Sequence, residues 1–274
     1  MNSETDSVDK LAAWVLRQTG TTKTPVPVDR LALRLGVDRI VRKPLDGDDG
    51  RVGVLDGRLV VWVRPDAPLV RRRFTVAHEI GHLLLADPSL DQRAIRRARG
   101  SDTEERFCDR FAEALLMPAD RLRAMYSDQP QDLDTLQRCA ALFQVSQAAA
   151  LLRLRSCLGW SRSLLRWTAT REGMSLASVT GWEPEPRATV RSASATRDVV
   201  ELALGDRSGK AVWLPLSVQG EEIEVRTELA PARSGGVALV DLSRRRFAVP
   251  PTPSPARRTV LSPRLKPTRP VRIA

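Results

Sequence analysis

"VRRRFTVAHEIGHLLLADP", residues 70 to 88, holds both histidines of a 274-residue chain, His78 and His82, with Glu79 directly after the first. Two histidines scattered at random over that length fall four apart in roughly 0.7% of arrangements. Requiring glutamate after the first lowers the figure about twentyfold. A pair of solvent-facing histidines fits poorly with the apolar flanks Phe74, Val76, Ala77, Leu83, Leu84 and Leu85. The stretch predicts a helix, with Asp66 as N-cap, Pro68 in the first turn and no breaker before Asp87-Pro88. Positions i and i+4 share a helical face one turn apart, so both imidazoles reach a single metal ion. Gly81 costs about 1 kcal/mol relative to alanine inside a helix, which points to a close backbone approach beneath the site.

Histidine, glutamate, two spacers and histidine on a helix form the zinc-hydrolase arrangement, with Glu79 as general base. Such an ion takes three protein ligands and keeps one position open. No histidine remains, so the third ligand is a carboxylate or one of Cys108, Cys139 and Cys157. The next helix is "SDTEERFCDRFAEALLMP", residues 101 to 118, where Ser101 and Glu104 have capping-box spacing and start the helix near residue 102. Glu105 and Asp109 share one face of it. Glu105 is read as the ligand, with Asp109 accepting a hydrogen bond from a ligand histidine. On spacing alone Asp87, Glu104, Asp109 and Glu113 compete for the ligand role, while Cys108 reads as a small buried hydrophobe.

"RRRFTVAHEIGHLLL" followed by "EERFCDRFAEALLMP" resembles the ImmA/IrrE family of metallopeptidases over roughly residues 25 to 158. The family pattern is R-x-R-F-T-x-A-H-E-x-G-H-x-L-L, then E-x-x-A-N-x-F-A-x-x-L-L-M-P. The resemblance sets Glu105 on the family's metal-ligand glutamate. The chain departs at Cys108, where alanine is usual, and at Asp109, where asparagine is common. What the resemblance implies is a zinc peptidase whose substrate is a helix-turn-helix transcriptional repressor, cleaved to release stress or mobile-element genes. One Zn2+ is the expected ion, with Mn2+ and Fe2+ as alternatives. Glu79 would take the proton of the attacking water and pass it to the leaving amine. An oxyanion stabiliser is also expected, and Tyr126 is the one tyrosine available. The competing function is a DNA-associated regulatory protein with a non-catalytic metal site.

Three scattered cysteines suggest no disulfide framework and favour a reducing compartment. The N-terminus lacks the basic start and apolar core of a secretion signal, and no apolar run nears the ~20 residues that cross a bilayer. A cytoplasmic protein without membrane contact is expected. The net charge is +11, and residues 242 to 274 carry eight Arg and one Lys with no acid, together with seven of the 19 prolines. Such a segment reads as a disordered tail able to adhere to nucleic acid.

Along the chain, residues 8 to 18 and "PVDRLALRL" read as helices ended by Gly20 and Gly36. "RVGVLDGRLVVWV" reads as a hairpin turned at Asp56-Gly57, and the resemblance gives one of its strands the task of pairing with substrate backbone. "ADRLRAMYS", "LDTLQRCAALF" and "SQAAALLRLRSCL" read as helices. The last two, joined by "QVS", look like a helix-turn-helix, with packing as the favoured role. Beyond Trp160, β-rich runs predict a mainly antiparallel unit. The expected fold class is α+β. It comprises an N-terminal extension (1–24) and a minimal zincin-like peptidase core (25–159) of small sheet, His-Glu helix and further helices. A β-rich accessory domain (160–249) and a disordered basic tail (250–274) complete it.

Overall fold

The computed structural model describes residues 3–88, 92–100, 103–170, 173–181, 212–218, 221–232 and 235–247. Mixed helices and small sheets make it α+β. Helix α1 (Ser3–Gln18) buries Val8, Ala12, Val15 and Leu16, and α2 (Val28–Arg34) buries Val28, Leu31 and Ala32. A three-stranded sheet follows: β1 (Arg39–Arg42), β2 (Gly50–Leu55) and β3 (Arg58–Val63), in the order β1-β3-β2. Strand β1 runs parallel to β3, and β2 runs antiparallel to it. Both turn residues, Asp56 at φ 51° and Gly57 at φ 72°, sit in the left-handed region that a two-residue hairpin turn requires.

Leu55 and Arg58 close that turn, so they form a hydrogen-bonded pair, and pairing alternates from there. Arg51 and Gly53 therefore bond to β3. Gly50, Val52 and Val54 turn their N–H and C=O groups to the outer edge of the sheet. The edge strand is thus legible from turn length and register.

Helix α3 (Leu69–Ala86) lies across this sheet and carries the two histidines. Its N-cap is Pro68, with no side-chain cap, and not Asp66: the Asp66 carboxylate instead accepts from Arg64 at 2.9 Å. It ends at Asp87, which is extended ahead of Pro88. Among the residues it buries are Thr75, Val76, Ala77, Glu79, Ile80, Gly81 and Leu84. Arg73, 8% exposed, donates to Val26 O at 2.9 Å and Gln144 O at 3.3 Å. It thereby joins α3 to the segment before α2 and to a distant turn, and burial pushes its pKa down.

A short helix α4 (Gln92–Arg99) precedes α5 (Glu104–Leu116). The cap of α5 is Thr103, whose hydroxyl accepts from Arg106 N at 3.3 Å. The expected Ser101 cap lies outside the described residues. Helices α6 (Ala119–Tyr126), α7 (Leu133–Phe143) and α8 (Gln147–Leu158) complete the helical part. The turn between α7 and α8 passes through Gln144 at φ 53°, and Ser146 caps α8 by accepting from Ala149 N. Gly159 in the left-handed region ends α8. Phe143, Leu151 and Leu154 from this pair are fully buried, so the pair works as a packing unit.

Arg153 on α8 is almost wholly buried. Its Nε donates to Met117 O at 3.0 Å, and its guanidinium pairs with Asp9 of α1. The N-terminal helix is therefore locked to the end of α5 through an internal ion pair.

A second sheet contains β4 (Ser163–Thr170), β5 (Gly173–Thr180), β6 (Val212–Val218), β7 (Glu221–Ala232) and β8 (Gly235–Phe247). All its pairings are antiparallel, in the order β5-β4-β8-β7-β6. These strands fall in the β-rich stretch expected beyond Trp160, of which residues 182–211 lie outside the described residues. The basic segment begins inside β8, with Arg244, Arg245 and Arg246, and residues 250–274 lie outside. The sheet meets the helices through α8 and through Glu228, whose Oε2 accepts from Leu133 N at 2.7 Å. No helix among the described residues is long and apolar enough to cross a membrane.

Candidate metal centre

The site is set by how closely α3 and α5 approach. A Cβ on Gly81 would meet Cys108 Sγ at 3.0 Å and Cys108 Cα and Cβ at 3.1 Å. Only glycine lets the helices pack at this distance, which accounts for a helix-weakening residue inside α3. Cys108 is in turn the pivot that places Glu105, one turn earlier, and Asp109, its neighbour, opposite the two histidines.

His78 Nε2 lies 3.2 Å from His82 Nε2 and 3.2 Å from Glu105 Oε2, and His82 Nε2 lies 3.4 Å from Glu105 Oε1. Donors around one tetrahedral ion, with bonds of ~2.1 Å, stand about 3.4 Å apart. His78 Nδ1 is 2.9 Å from Asp109 Oδ1. With its Nδ1–H donated to that carboxylate, His78 turns an Nε2 lone pair toward Glu105. The donor set is therefore compatible with a divalent metal.

Cys108 Sγ and the two imidazoles also offer donor atoms that all lie within 4.8 Å of one another. Two carboxylate oxygens at 3.2 and 3.4 Å make Glu105 the better-placed third donor, and burial pushes the Cys108 thiol far above its ordinary range. Of the other acids, Glu104 pairs with Arg99 at 3.6 Å and Glu113 lines a separate hollow.

Glu79 is 6% exposed and points into the same cleft. Burial pushes its pKa up, opposed by His78 and by a hydrogen bond from the Val52 backbone N–H. That bond agrees with the outward-facing Val52 amide deduced from the hairpin register. A Cβ on Gly50 would lie 2.1 Å from Thr75 Cγ2 and 3.2 Å from Glu79 Oε1. The edge strand thus presses directly on the face of α3 that carries Thr75 and Glu79. Gly50, Val52 and Thr75 are site residues that the His-Glu pattern did not name. A glycine at the start of a strand was the available signal.

The cleft holds about 850 Å³ and is lined by residues of the 47–53 segment, α3 and α5. Arg71 pairs with Asp49, and Arg51 with Asp48 at 2.8 Å, along its rim. Tyr126, the expected phenol, is elsewhere, buried against Phe143.

A helix presenting two histidines and a buried glutamate, an acid-bearing partner helix and an edge strand together form a site compatible with a divalent metal. Residues 32–155 match the family described as Peptidase M78, IrrE N-terminal-like domain, which supports an ImmA/IrrE-type domain over that span. A solved Mycobacterium tuberculosis transcriptional regulator is similar at 15% identity and a TM-score of 0.47, over 86% of this chain and 76% of that one. No curated protein matches the chain.

Proposed function

We propose that the protein is a cytoplasmic zinc-dependent endopeptidase that cleaves a helix-turn-helix repressor. The observation that carries this reading is the convergence of His78, His82 and Glu105 on one point, with Glu79 beside it in an open cleft. These three residues would hold the ion, and Asp109 keeps His78 in the tautomer whose Nε2 is free to bind it. When bound, zinc supplies Lewis-acid polarisation of a peptide carbonyl and an acidified water.

The chain's own groups do the rest. The outer edge of β2 offers the N–H and C=O groups of Gly50 and Val54 to a substrate strand, which holds the peptide extended across the cleft. Glu79, kept in place by Val52 N–H, is positioned to accept a proton from the attacking water and deliver it to the leaving nitrogen. Its burial favours the neutral acid, which suits the second of these steps.

The test is incubation of the zinc-loaded chain with a helix-turn-helix repressor encoded beside its gene, read by mass. Wild type should release two fragments, and chelator should stop it. Glu79→Gln should retain zinc by elemental analysis and lose about 10²–10⁴-fold in rate. Cleavage by Glu79→Gln at the wild-type rate would refute the general-base role.

A further inference from the structure

Beside the cleft lies a second hollow, of about 270 Å³. Its floor is Leu116 and Met117, both essentially inaccessible, and Leu152 stands at its rim with 41% exposure. Val145 and Ala149 form the wall on the α8 side. Two residues, Arg71 and Phe74, line this hollow and the catalytic cleft alike. The two spaces are therefore neighbours, with these two side chains as the ridge between them. That ridge is held in place: the Arg71 guanidinium lies 5.8 Å over the Phe74 ring and is paired with Asp49, just ahead of β2.

Around the hollow Ser146 caps α8, and burial pushes the pKa of Glu113 up, opposed by Arg153 and Arg110. What is left to a guest is an apolar surface sized for one large side chain.

The geometry also says which part of a peptide arrives there. Val52 bonds Glu79, while Gly50 abuts Thr75 and Asp49 holds Arg71. The Gly50 end of β2 thus leads toward the ridge. Along α3, Glu79 is five residues from Phe74 and eight from Arg71, about 7–12 Å at 1.5 Å per residue. An extended peptide covers that in roughly two to four residues.

We propose that this hollow is a specificity subsite that receives one bulky apolar side chain of the substrate, two to four residues from the scissile bond. The identity of the guest rests on the peptidase reading. The subsite would make the enzyme select an aliphatic or aromatic residue at one position and reject lysine or serine there.

The test uses the full zinc-loaded chain and pools of labelled decapeptides, with each position in turn fixed as Leu, Phe, Ser or Lys. Cleavage by wild type is read by mass, and binding to Glu79→Gln by fluorescence anisotropy. At one position Leu and Phe should exceed Ser and Lys by about tenfold or more in kcat/KM. Ala149→Trp, which fills the hollow, should bring that ratio to about one. Leu152→Lys, at an exposed site that leaves the core intact, should do the same. A preference kept by both variants, or no preference at any position, overturns the subsite. If nothing is cleaved but Glu79→Gln binds the apolar pools in a way that Ala149→Trp abolishes, the peptidase reading fails and the subsite stands. If neither cleavage nor selective binding occurs, both fail.

Discussion

The helices of residues 3–158 and the sheet of residues 163–247 are built on opposite terms. The helical part encloses charge: Arg73, Glu79 and Arg153 are all buried, each with a specific partner. In the sheet the buried described residues are Leu164, Leu165, Val225, Leu239 and Val240, with Ser163 and Thr227 the only polar ones. Burying a charge costs several kcal/mol unless geometry and partners are right. The helical part therefore carries constraints that tolerate one arrangement, and its metal-type side chains form the cluster found among the described residues. The buried sheet side chains among the described residues carry no charge and tolerate repacking better. The candidate site sits in the part that encloses buried charge.

The contrast can be attacked from its strongest point. Asp9→Ala leaves Arg153 buried without its carboxylate and should destabilise the chain by about 3–5 kcal/mol, measured by denaturant unfolding. A loss below 1 kcal/mol would mean the internal ion pair does not hold α1 in place. Next, Asp109→Ala should weaken zinc binding by about 10–100-fold in a chelator competition, because His78 loses the acceptor that orients it. Unchanged affinity would remove Asp109 from the centre.

Gly50→Ala forces a Cβ into Thr75 and should cost about 1–3 kcal/mol. Combining it with Thr75→Ser, which removes the clashing methyl but keeps the hydroxyl that bonds Arg71 O at 3.0 Å, should restore most of the loss. Failure of that rescue would show that β2 and α3 are not in register as described. The smallest effect belongs to the joint between the two parts. Glu228→Ala removes the acceptor for Leu133 N and should cost about 0.5–1.5 kcal/mol, with zinc affinity unaltered. A change in zinc affinity there would erase the distinction between the two regions.

The sequence made some of this plain and hid the rest for physical reasons. His78, Glu79 and His82 announce themselves because helical periodicity converts a spacing of four directly into a shared face. Glu105 was one acid among several, since choosing it requires knowing where α5 crosses α3, and the contact between Gly81 and Cys108 decides that. The hairpin was legible from Asp56-Gly57, whereas β1 was not, because four residues that pair in parallel over a crossover leave little local pattern. Helix α4, nearly all polar with Ile95 its one buried hydrophobe among the described residues, gave no apolar stripe to read. The caps of α3 and α5 each lie two residues later than expected. Ser101, Asp102 and Thr103 are all of types that accept a backbone N–H at a helix start, and Asp66 accepts from Arg64 instead.

Helix α8 is packed from two directions. Ala149 and Leu152 border the second hollow, while Arg155 donates to Arg162 O at 2.8 Å and the helix rests on β4 and β5. Leu151 and Leu154 occupy the core between. A helix hemmed in on so much of its circumference has little slack, since protein interiors are packed nearly as densely as organic crystals. Of its twelve residues only Leu152 and Ser156 are exposed, so enlargement at most of the others would push on the hollow, on the core or on the sheet.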